Sequence, residues 1–345
     1  MIYIDGIITK LQKSGGISVY FNEIIMRMLR DDINFEFSRY GSNNFFDEYI
    51  GSKYFVDYNS RTLERYRALQ PPQVAGVFHS TYYRKQRRKK LPSVTTVHDF
   101  TYEKCIGGIR TSIHSLQKTA AIIEADSVVC ISESTRNDLL DLIPKCDPAK
   151  VHVIHNGVSP HFKPISKVPI NLNIKDSYAL FVGARGGYKN FANSVKALSL
   201  IENTSLYSVG GGAISRDENA LIERYLPGRF YHYDFLSTIE LNFLYKQADF
   251  LLYPSSYEGF GIPVLEALSA GCPVVAVNAS SIPEVSGGHA FLAENSTPEA
   301  LVAEINKLKQ ISDISDHVKN GIHWASGFSW EKTYEATMNV YKSLS

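Results

Sequence analysis

Short apolar runs alternate along the chain with stretches in which apolar residues recur at helical spacing. A short continuous apolar run is typical of a buried strand, whereas apolar positions three and four apart are typical of a helix with one buried face. Helical spacing predicts helices at Ile17–Leu29 and Ile113–Ala125. The predicted strands are Ile2–Ile4, Gly76–Phe78, Val94–Val97, Ser127–Ile131, Val151–Ile154, Tyr178–Val182, Ser205–Val209, Phe230–Tyr233, Phe250–Tyr253 and Pro273–Val277. Strands that alternate with helices favour parallel sheets built from βαβ units.

The alternation is interrupted between Ser159 and Asp176, where the sequence SPHFKPISKVPINLNIKD holds three prolines and little periodicity. Such a segment is typical of an interdomain linker. We therefore predict two α/β domains, 1–160 and 161–327, and a last segment, 328–345, that forms a terminal helix docked on one of them. The stripe that this helix would bury consists of Trp330, Tyr334, Met338, Tyr341 and Leu344.

Two helix starts in the second domain are predicted by their capping residues. Ser237 and Glu240 form the pattern of a capping box, which predicts a helix that runs through Ala248. Thr297 followed by Pro298 is typical of an N-cap and the first helical residue after it.

Composition narrows the class of protein. The 345 residues are 44% hydrophobic and 21% charged, a balance typical of globular domains, and the formal net charge of +1 does not indicate a nucleic-acid partner. The sequence contains neither an apolar run long enough to span a membrane nor the features of a signal peptide, so we expect a cytoplasmic protein. The four cysteines have no metal-binding spacing and are expected to be reduced thiols, with Cys130 and Cys272 buried.

The segment Tyr257–Ala267, YEGFGIPVLEA, carries two glutamates on either side of two glycines and a proline. The preceding apolar run ends a predicted strand. Pro263 suits the first position of a helix, and Gly271 suits its end. Glu258 would then lie on the loop and Glu266 in the first helical turn.

The predicted helix start has no Ser, Thr, Asp or Asn before it, so its first amides lack a capping side chain. Open amides beside glycines form an anion site, and ligands bind beyond the carboxyl ends of parallel strands. A ligand with a charged centre and hydroxyl-rich ends, such as a nucleotide-sugar, would suit amides flanked by two carboxylates. The alternative is a solvated loop in which the helix dipole stabilises Glu266.

The longer stretch YPSSYEGFGIPVLEALSAGCPVVAVNASSIPEV resembles the signature of retaining glycosyltransferases of the GT-B fold, family 4 type, with Glu258 and Glu266 as its paired glutamates. The segments SGGISVY, TVHDF, HNGV, LFVGARGGYKNF and FSWEKT occur in the order expected for that family. The resemblance implies an α/β GT-B fold, with two Rossmann-like domains whose parallel sheets face a central cleft. It implies acceptor binding by the N-terminal domain, 1–160, on which the last helix, 328–345, packs back, and nucleotide-sugar binding by the C-terminal domain, 161–327.

The family's functional residues carry over where its motifs match. Glu258 matches the glutamate that contacts hydroxyls of the donor sugar, and Glu266 matches the one that holds the ribose. His98 in TVHDF matches an active-site histidine near the transferred sugar, and Lys189 matches a phosphate-binding lysine. The backbone positions that would approach the sugar and the diphosphate are Gly15, Gly16, Gly259, Phe260, Gly261 and Ile262.

Two of these side chains have simpler interpretations when the resemblance is set aside. A histidine such as His98 at a strand end is often a polar residue satisfied within the fold. A lysine such as Lys189 at a helix start is often solvated, although the helix dipole disfavours a cation there.

The chain departs from the family pattern at two places. An arginine common in the family is displaced by one position, to Arg185, which would still be a candidate phosphate ligand. In YHYDFLST, Asp234 stands where a glycine is usual, and Phe235 would contact the base of the donor.

The reaction implied is transfer of a hexosyl group from a nucleotide-diphosphate sugar with retention at the anomeric carbon. Negative charge would grow on the leaving diphosphate, and the residues expected to act are His98, Glu258 and Lys189. The resemblance implies neither a metal ion nor a cofactor, since the nucleotide-sugar is a substrate.

The segment RKQRRKK carries six positive charges in seven residues: Arg84, Lys85, Arg87, Arg88, Lys89 and Lys90. One interpretation is a solvated loop. The other is contact with anionic phospholipid head groups or with a polyprenyl-diphosphate-linked acceptor, which would place the protein on the inner face of the plasma membrane. Nucleic acid is disfavoured by the nearly neutral net charge.

The expected function is therefore hexosyl transfer to a glycan or a lipid-linked glycan during biosynthesis of a surface polysaccharide such as an O-antigen or a capsule. The similarity of LFVGARGGYKNF to mannosyl-type members indicates a GDP-sugar donor. The alternatives are a non-catalytic sugar-binding protein of this fold and a sugar-nucleotide epimerase or phosphorylase. The intact glutamate pair, Glu258 and Glu266, argues against these alternatives.

Overall fold

Two parallel sheets organise the chain, and each belongs to a separate unit. Unit 1 consists of Met1–Gly157 with Trp330–Ser345, and unit 2 consists of Val158–Ser329. The computed structural model describes residues 1–12, 15–40, 52–69, 75–88, 91–165, 174 and 177–345.

The described sheet of unit 1 has seven parallel strands. They are β1 (Ile2–Asp5), β2 (Phe35–Arg39), β3 (Phe55–Asp57), β4 (Val77–Ser80), β5 (Ser93–Val97), β6 (Ser127–Cys130) and β7 (Val151–Val153). Their order is β3-β2-β1-β4-β5-β6-β7, and Ile2 of β1 pairs with Phe35 on one side and Val77 on the other. Because β1 lies between β2 and β4, the direction in which strands are added reverses at the β1–β4 pair.

The described sheet of unit 2 has six parallel strands. They are β8 (Tyr178–Val182), β9 (Ser205–Val209), β10 (Phe230–Tyr233), β11 (Phe250–Tyr253), β12 (Val274–Val277) and β13 (Phe291–Ala293). Their order is β10-β9-β8-β11-β12-β13, so the corresponding reversal lies at the β8–β11 pair. Every residue of β9, β11 and β12 is buried, as expected for parallel strands covered on both faces.

Helices connect these strands and cover the sheets. They are α1 (Ile8–Leu11), α2 (Gly16–Arg30), α3 (Thr101–Cys105), α4 (Ile109–Glu124), α5 (Glu133–Leu142), α6 (Phe191–Ser199), α7 (Arg216–Tyr225), α8 (Thr238–Gln247), α9 (Ile262–Ala270), α10 (Ile282–Ser286), α11 (Pro298–Lys309), α12 (Ser315–Ala325) and α13 (Trp330–Ser343). In the part of the chain that the structure describes, none of these helices is both long and apolar enough to cross a membrane.

The strands predicted from apolar runs are confirmed, with bounds that differ by at most two residues. Three described strands were not predicted: β2, β3 and β13. In β2, charged Glu36 lies between buried Phe35 and Phe37, so the strand has no continuous apolar run. The other two strands have three residues each and lie at sheet edges, where little apolar sequence is needed.

The predicted capping residues and buried thiols are also confirmed. Ser237 and Glu240 form a reciprocal capping box at the start of α8, and Thr297 caps α11 through the amide of Ala300. Cys130 and Cys272 are buried.

The last helix, α13, packs on α2 within unit 1. Glu331 accepts hydrogen bonds from Arg27 and Arg30, and Tyr341 Oη lies 2.6 Å from Nδ1 of buried His79. The chain enters unit 2 at Val158 and leaves it at Ser329, and these two residues form a parallel bridge. Of the predicted linker, positions 166–173 and 175–176 lie outside the described residues.

Candidate active site

The candidate donor site of unit 2 lies where the strand order reverses. The loop after β8 runs from Gly183 to Lys189, and the loop after β11 runs from Pro254 to Gly261. Both loops emerge from the carboxyl ends of neighbouring parallel strands, which is where open α/β sheets bind ligands.

Hydrogen bonds to backbone carbonyls join these two loops to each other. The amide of Ser256 donates to the carbonyl of Tyr188 at 2.9 Å, and Nδ2 of Asn190 donates to the carbonyl of Pro254 at 2.9 Å. Asn190 adopts a left-handed backbone conformation, which asparagine tolerates better than most residues. These hydrogen bonds therefore hold the loop after β8 against the loop after β11.

Lys189 and Glu258 meet at this place. Nζ of Lys189 donates to Oε1 of Glu258 at 2.5 Å, and both side chains retain a small exposed fraction. The ammonium also lies 5.5 Å from the ring centre of Tyr253, the last residue of β11. The ammonium of Lys189 and the carboxylate of Glu258 are thus adjacent, and each side chain is largely but not completely buried.

Helix α9 begins at Ile262, one residue earlier than predicted, so Pro263 is its second residue. Gly261 precedes the helix with φ of 97°, and no side chain caps the helix. A Cβ at Gly261 would lie 2.7 Å from Cδ1 of Ile282, so a side chain here would strain the backbone and require Ile282 to shift. Gly271 ends the helix with φ of 79°, as predicted.

Two serines that the sequence analysis missed hold the loop before α9. Oγ of Ser280 accepts from the amide of Glu258 at 2.8 Å. Oγ of Ser281 donates to the carbonyls of Phe260 at 2.8 Å and Glu258 at 3.1 Å. Their only signal in the sequence is their position just after the strand β12, in the run NASSIPEV.

Glu266 lies in the second turn of α9, so its prediction in the first turn was wrong by one position. Oη of buried Tyr245, on α8, donates to Oε2 of Glu266 at 2.9 Å. Burial of the carboxyl raises the pKa of Glu266 to about 7, and the hydrogen bond from Tyr245 acts in the opposite direction. Tyr245 was not predicted, because an inward tyrosine on a helix has no distinctive sequence pattern.

Arg185 is held within unit 2 by an ion pair and by hydrogen bonds to a glycine-rich loop. Its buried guanidinium donates to the carboxylate of Glu218 and to carbonyls of the loop 210–213. Three successive glycines in this loop have positive φ, which leaves their carbonyls turned towards the guanidinium. These contacts anchor Arg185 to the loop 210–213, and its role as a phosphate ligand stays a prediction.

The predicted base contact, Phe235, follows β10 and is largely exposed. Next to it, the carboxylate of Asp234 lies 2.8 Å from Nε2 of His232. The contact of Phe235 with the base of the donor stays a prediction.

In unit 1, His98 directly follows β5 at the carboxyl edge of the sheet. Its ring packs edge-on against Tyr20 of α2, with 5.2 Å between ring centres. Nε2 of this buried imidazole has no hydrogen-bond partner within the described residues. Burial lowers the pKa of His98 to about 4, so the imidazole is neutral at pH 7 and offers one unsatisfied ring nitrogen.

Gly15 and Gly16 lie at the start of α2, which also has no capping side chain. A Cβ at Gly15 would lie 2.7 Å from Oε1 of Gln12, whereas nothing lies near a Cβ at Gly16. Gly16 is exposed, and α2 carries Tyr20, which touches His98. Unit 1 therefore brings the glycine turn and the histidine to one edge of its sheet.

The described residues of the basic segment 84–90 differ in exposure and do not form one surface. Arg84 is completely buried and forms ion pairs with Asp5 at 3.0 Å and Glu64 at 2.9 Å, so its predicted contact with membrane or acceptor is wrong. Burial of Arg84 is compensated because two carboxylates and the hydroxyl of Tyr40 satisfy it. Arg87 and Arg88 are exposed, as predicted, and Lys85 pairs with Glu124; Lys89 and Lys90 lie outside the described residues.

The chain matches two family profiles, one over each unit. Residues 15–162 match Glycosyltransferase Family 4, and residues 162–322 match Glycosyl transferases group 1. The two matches are adjacent and together span most of the chain.

The chain belongs to the family 4, or group 1, glycosyltransferases.

The similarity of this glycosyltransferase to known proteins extends over most of its length. O-antigen chain mannosyltransferase B from Escherichia coli is 28% identical over 316 residues, which cover 82% of this chain and 80% of that protein. Sucrose-phosphate synthase from Thermosynechococcus elongatus has the same fold, with a TM-score of 0.79, 18% identity and coverage of 99% and 98% of the two chains. HepE from Anabaena, solved with UDP and glucose, has a TM-score of 0.77 at 17% identity, with 99% of both chains covered. The GT-B fold class, with two parallel-sheet Rossmann-like units, is thereby confirmed.

Within this family 4 glycosyltransferase, the described residues contain no group of three His, Cys, Asp or Glu side chains that could hold a metal ion. The chemistry available at the β8–β11 reversal is that of a lysine, two glutamates and an uncapped helix start. Such a set can bind a ligand that combines anionic phosphate with sugar hydroxyls.

Proposed function

We propose that this glycosyltransferase moves a hexose from a nucleotide-diphosphate sugar to a glycan or lipid-linked glycan acceptor during biosynthesis of a surface polysaccharide, with retention at the anomeric carbon. GDP-mannose is the proposed donor. The name of the Escherichia coli relative, an O-antigen chain mannosyltransferase, supports both the sugar and the pathway class.

The observation that carries this proposal is the pairing of Lys189 with Glu258 beside the uncapped start of α9. Without a donor, the two side chains neutralise each other. A bound donor would give Lys189 its diphosphate and Glu258 the hydroxyls of its sugar. Glu258, the amides at the start of α9 and Glu266 would then contact the sugar, the diphosphate and the ribose of the donor, in that order.

Bond breaking at the anomeric carbon requires stabilisation of the leaving diphosphate. Lys189 and the amides at the start of α9 supply positive charge for it, and the proposed reaction uses no metal ion or cofactor. The acceptor hydroxyl attacks on the face that the leaving group vacates. A bond from the acceptor oxygen to the anomeric carbon forms, the bond from that carbon to the phosphate oxygen breaks, and the acceptor proton passes to this phosphate oxygen.

His98 has a different role in this scheme. A neutral imidazole with an unsatisfied nitrogen can hydrogen-bond a sugar hydroxyl without adding charge near the positively charged sugar of the transition state. We therefore assign His98 to the transferred sugar. It neither accepts the acceptor proton nor attacks the sugar.

The test is a donor panel of GDP-mannose, UDP-glucose, UDP-galactose and ADP-glucose. Calorimetry measures binding, and release of nucleoside diphosphate measures turnover. We expect binding and slow hydrolysis with GDP-mannose, undiminished by EDTA, and a transferred sugar whose anomeric configuration by NMR equals that of the donor. Binding of a UDP-sugar alone would overturn the GDP assignment, and no binding of any donor would overturn the transferase proposal.

Single substitutions test whether Lys189 and Glu258 act on the transition state. Lys189→Ala and Glu258→Gln are expected to lower turnover by about 100-fold or more, because each removes a group that acts on the transition state. Lys196→Ala, on the neighbouring helix α6, is the matched control and is expected to turn over normally. Equal activity of Lys189→Ala and Lys196→Ala would refute the phosphate role.

A further inference from the structure

Each of the paired glutamates, Glu258 and Glu266, is hydrogen-bonded by a buried tyrosine. Tyr245, on α8, donates to Glu266. Tyr253, the last residue of β11, is 2% exposed, and its hydroxyl hydrogen-bonds the carboxylate of Glu258. Side chains from the interior of unit 2 therefore support both glutamates, although Glu258 lies on a loop and Glu266 lies on a helix.

The ring of Tyr253 lies close to several parts of the candidate donor site. The ammonium of Lys189 is 5.5 Å from the centre of this ring, and a Cβ at Gly261 would lie 3.9 Å from its Cε1 atom. The loop after β11 returns towards the end of its own strand, so Glu258 reaches the hydroxyl of a residue five positions earlier in the chain. Tyr253 is thus near the lysine, the glutamate and the glycine turn without being exposed itself.

The hydrogen of the Tyr253 hydroxyl is directed at Glu258. Oγ of buried Ser255 donates to this hydroxyl, and the carboxylate of Glu258, which is ion-paired with Lys189, accepts from it. Burial and the negative charge of Glu258 raise the pKa of Tyr253 well above its ordinary value, so the hydroxyl stays protonated. The order of donation is therefore from Ser255 to Tyr253 to Glu258.

The other contacts of Glu258 hold its backbone or change when a donor binds. Oγ of Ser280 accepts from the amide of Glu258 at 2.8 Å, and Oγ of Ser281 donates to its carbonyl at 3.1 Å. These bonds fix the backbone from which the side chain extends. Lys189 pairs with the carboxylate, but in the proposed function this lysine contacts the diphosphate of a bound donor. Tyr253 then remains a partner of the carboxylate.

We propose that Tyr253 is a positioning residue, whose hydroxyl keeps the carboxylate of Glu258 directed at the transferred hexose while Lys189 contacts the diphosphate. A carboxylate already held by a hydrogen bond loses less freedom when it meets the sugar, so more of its interaction is available to the transition state. Because Tyr253 is buried, it acts through Glu258 and not on the donor. The inference rests on the proposed role of Glu258 and extends it to a residue behind the site.

A double-substitution cycle on turnover of GDP-mannose tests this dependence. Tyr253→Phe removes the hydroxyl but retains the ring, and is expected to lower kcat about tenfold to thirtyfold, which corresponds to loss of a hydrogen bond to a charged group. In the Glu258→Ala background, the same substitution should change kcat by less than about twofold. Equal factors in both backgrounds would overturn the proposal, because the hydroxyl would then act independently of Glu258.

Calorimetry with GDP-mannose and with GDP separates the sugar from the nucleotide. In Tyr253→Phe, the affinity for GDP should stay within about twofold of the parent value, because Lys189 and the start of α9 hold the diphosphate. The ratio of the dissociation constant of GDP-mannose to that of GDP should rise about fivefold. An unchanged ratio, with both ligands weakened equally, would show a general disturbance of the site and would contradict the proposal.

Tyr178→Phe is the matched control for the cycle and for calorimetry. Tyr178 is also a buried tyrosine of the unit 2 sheet, and its hydroxyl donates to the carbonyl of Leu244. Its substitution removes one buried hydrogen bond, as Tyr253→Phe does. We expect both variants to be less stable than the parent, but kcat and the ratio of dissociation constants should change only in Tyr253→Phe.

Failure of this inference can be distinguished from failure of the proposed function. A parent chain that neither binds nor hydrolyses GDP-mannose would refute the donor assignment, and the same cycle would then use UDP-glucose and UDP. Crystal structures of the parent and of Tyr253→Phe, both without ligand, test the position of Glu258 independently of any donor. We expect the carboxylate to turn away from its parent position while the backbone of 254–261 stays in place. A carboxylate that keeps its parent position would overturn the positioning role.

Discussion

At the scale of single residues, burial controls the protonation of two candidate sugar ligands in opposite senses. Desolvation penalises the charged form of each group, so it raises the pKa of Glu266 to about 7 and lowers that of His98 to about 4. At neutral pH, His98 is neutral, whereas Glu266 lies near its midpoint. Glu266 would accept hydrogen bonds from ribose hydroxyls best as a carboxylate, so donor affinity should be retained above pH 7 and lost as the pH falls through 7.

Tyr245→Phe tests this dependence. The hydroxyl of Tyr245 stabilises the carboxylate form of Glu266, so its removal should move the midpoint of donor affinity to higher pH. We expect the donor KM to rise about fivefold to tenfold near pH 7 and to return towards the parent value at pH 9, with a smaller change in kcat. Steady-state kinetics from pH 6 to 9 measure this.

Tyr178→Phe is the matched control for that experiment. Tyr178 is a buried tyrosine of unit 2 whose hydroxyl donates to the carbonyl of Leu244 and not to Glu266. Its loss should lower stability without moving the pH profile. A Tyr245→Phe profile that coincides with that of the parent would show that Tyr245 only fills space.

Arg84→Ala should be among the most destabilising changes in unit 1. The substitution leaves the carboxylates of Asp5 and Glu64 buried without their shared cation. Loss of one partner from a buried ion pair costs about 3–5 kcal/mol in the free energy of unfolding. Urea denaturation followed by circular dichroism measures the loss. Arg88→Ala, from the same basic segment, is exposed and should change the free energy of unfolding by less than about 0.5 kcal/mol.

At the scale of elements, the loop between β11 and α9 contains a left-handed glycine turn, is hydrogen-bonded by two serines and leads into a helix start without a side-chain cap. Gly261 supplies the left-handed turn, and Ser280 and Ser281 fix the backbone around Glu258. The direction in which Glu258 points is therefore determined by the loop after β12 as well as by its own loop. A rigid loop of this kind lets amides face a phosphate without reorganisation on binding.

Gly261→Ala should impair both stability and donor binding. The left-handed backbone alone costs an alanine about 1–2 kcal/mol, and its Cβ would displace Ile282 as well. Gly271→Ala, at the other end of the same helix, imposes comparable backbone strain but meets its neighbours at ordinary distances. Thermal unfolding should show a loss for both variants, whereas calorimetry should show weakened donor binding for Gly261→Ala only. Equal donor affinities would separate the turn from the donor site.

A helix or strand can be predicted from the sequence where a short local pattern determines it. Strands β8 to β11 were predicted with correct bounds, and β11, FLLY, is a fully buried strand whose sequence is a continuous apolar run. Glu258 and the uncapped start of α9 were predictable because a proline, two glycines and the absence of a cap lie within one short segment. Tyr245 and Ser281 were not, since their roles arise from contacts between segments distant in sequence. Arg84 was misjudged for the same reason: Asp5 and Glu64, which bury it, are distant in the sequence.

At the scale of the whole molecule, the chain returns at its end to the unit in which it began. Helix α13 fills the surface of unit 1 with buried Trp330, Tyr334 and Tyr341, and Tyr341 contacts His79 on β4. Among the described residues, one core cluster of unit 2 runs from Ala179 to Leu308 and contains no residue of α13. Unit 1, in contrast, includes Trp330–Ser345.

Termination of the chain after Ser329 should therefore affect the units unequally. Without α13, unit 1 exposes Tyr20 and His79 and loses the ion pairs of Arg27 and Arg30 with Glu331, so its amides should exchange faster. Amides of unit 2 should keep their protection, because none of its core is removed. Hydrogen exchange followed by mass spectrometry measures both units in one experiment, and a chain that ends at Ser343 is the control for shortening alone. Loss of protection to the same extent in both units would show that their stabilities are coupled and that α13 supports the whole molecule.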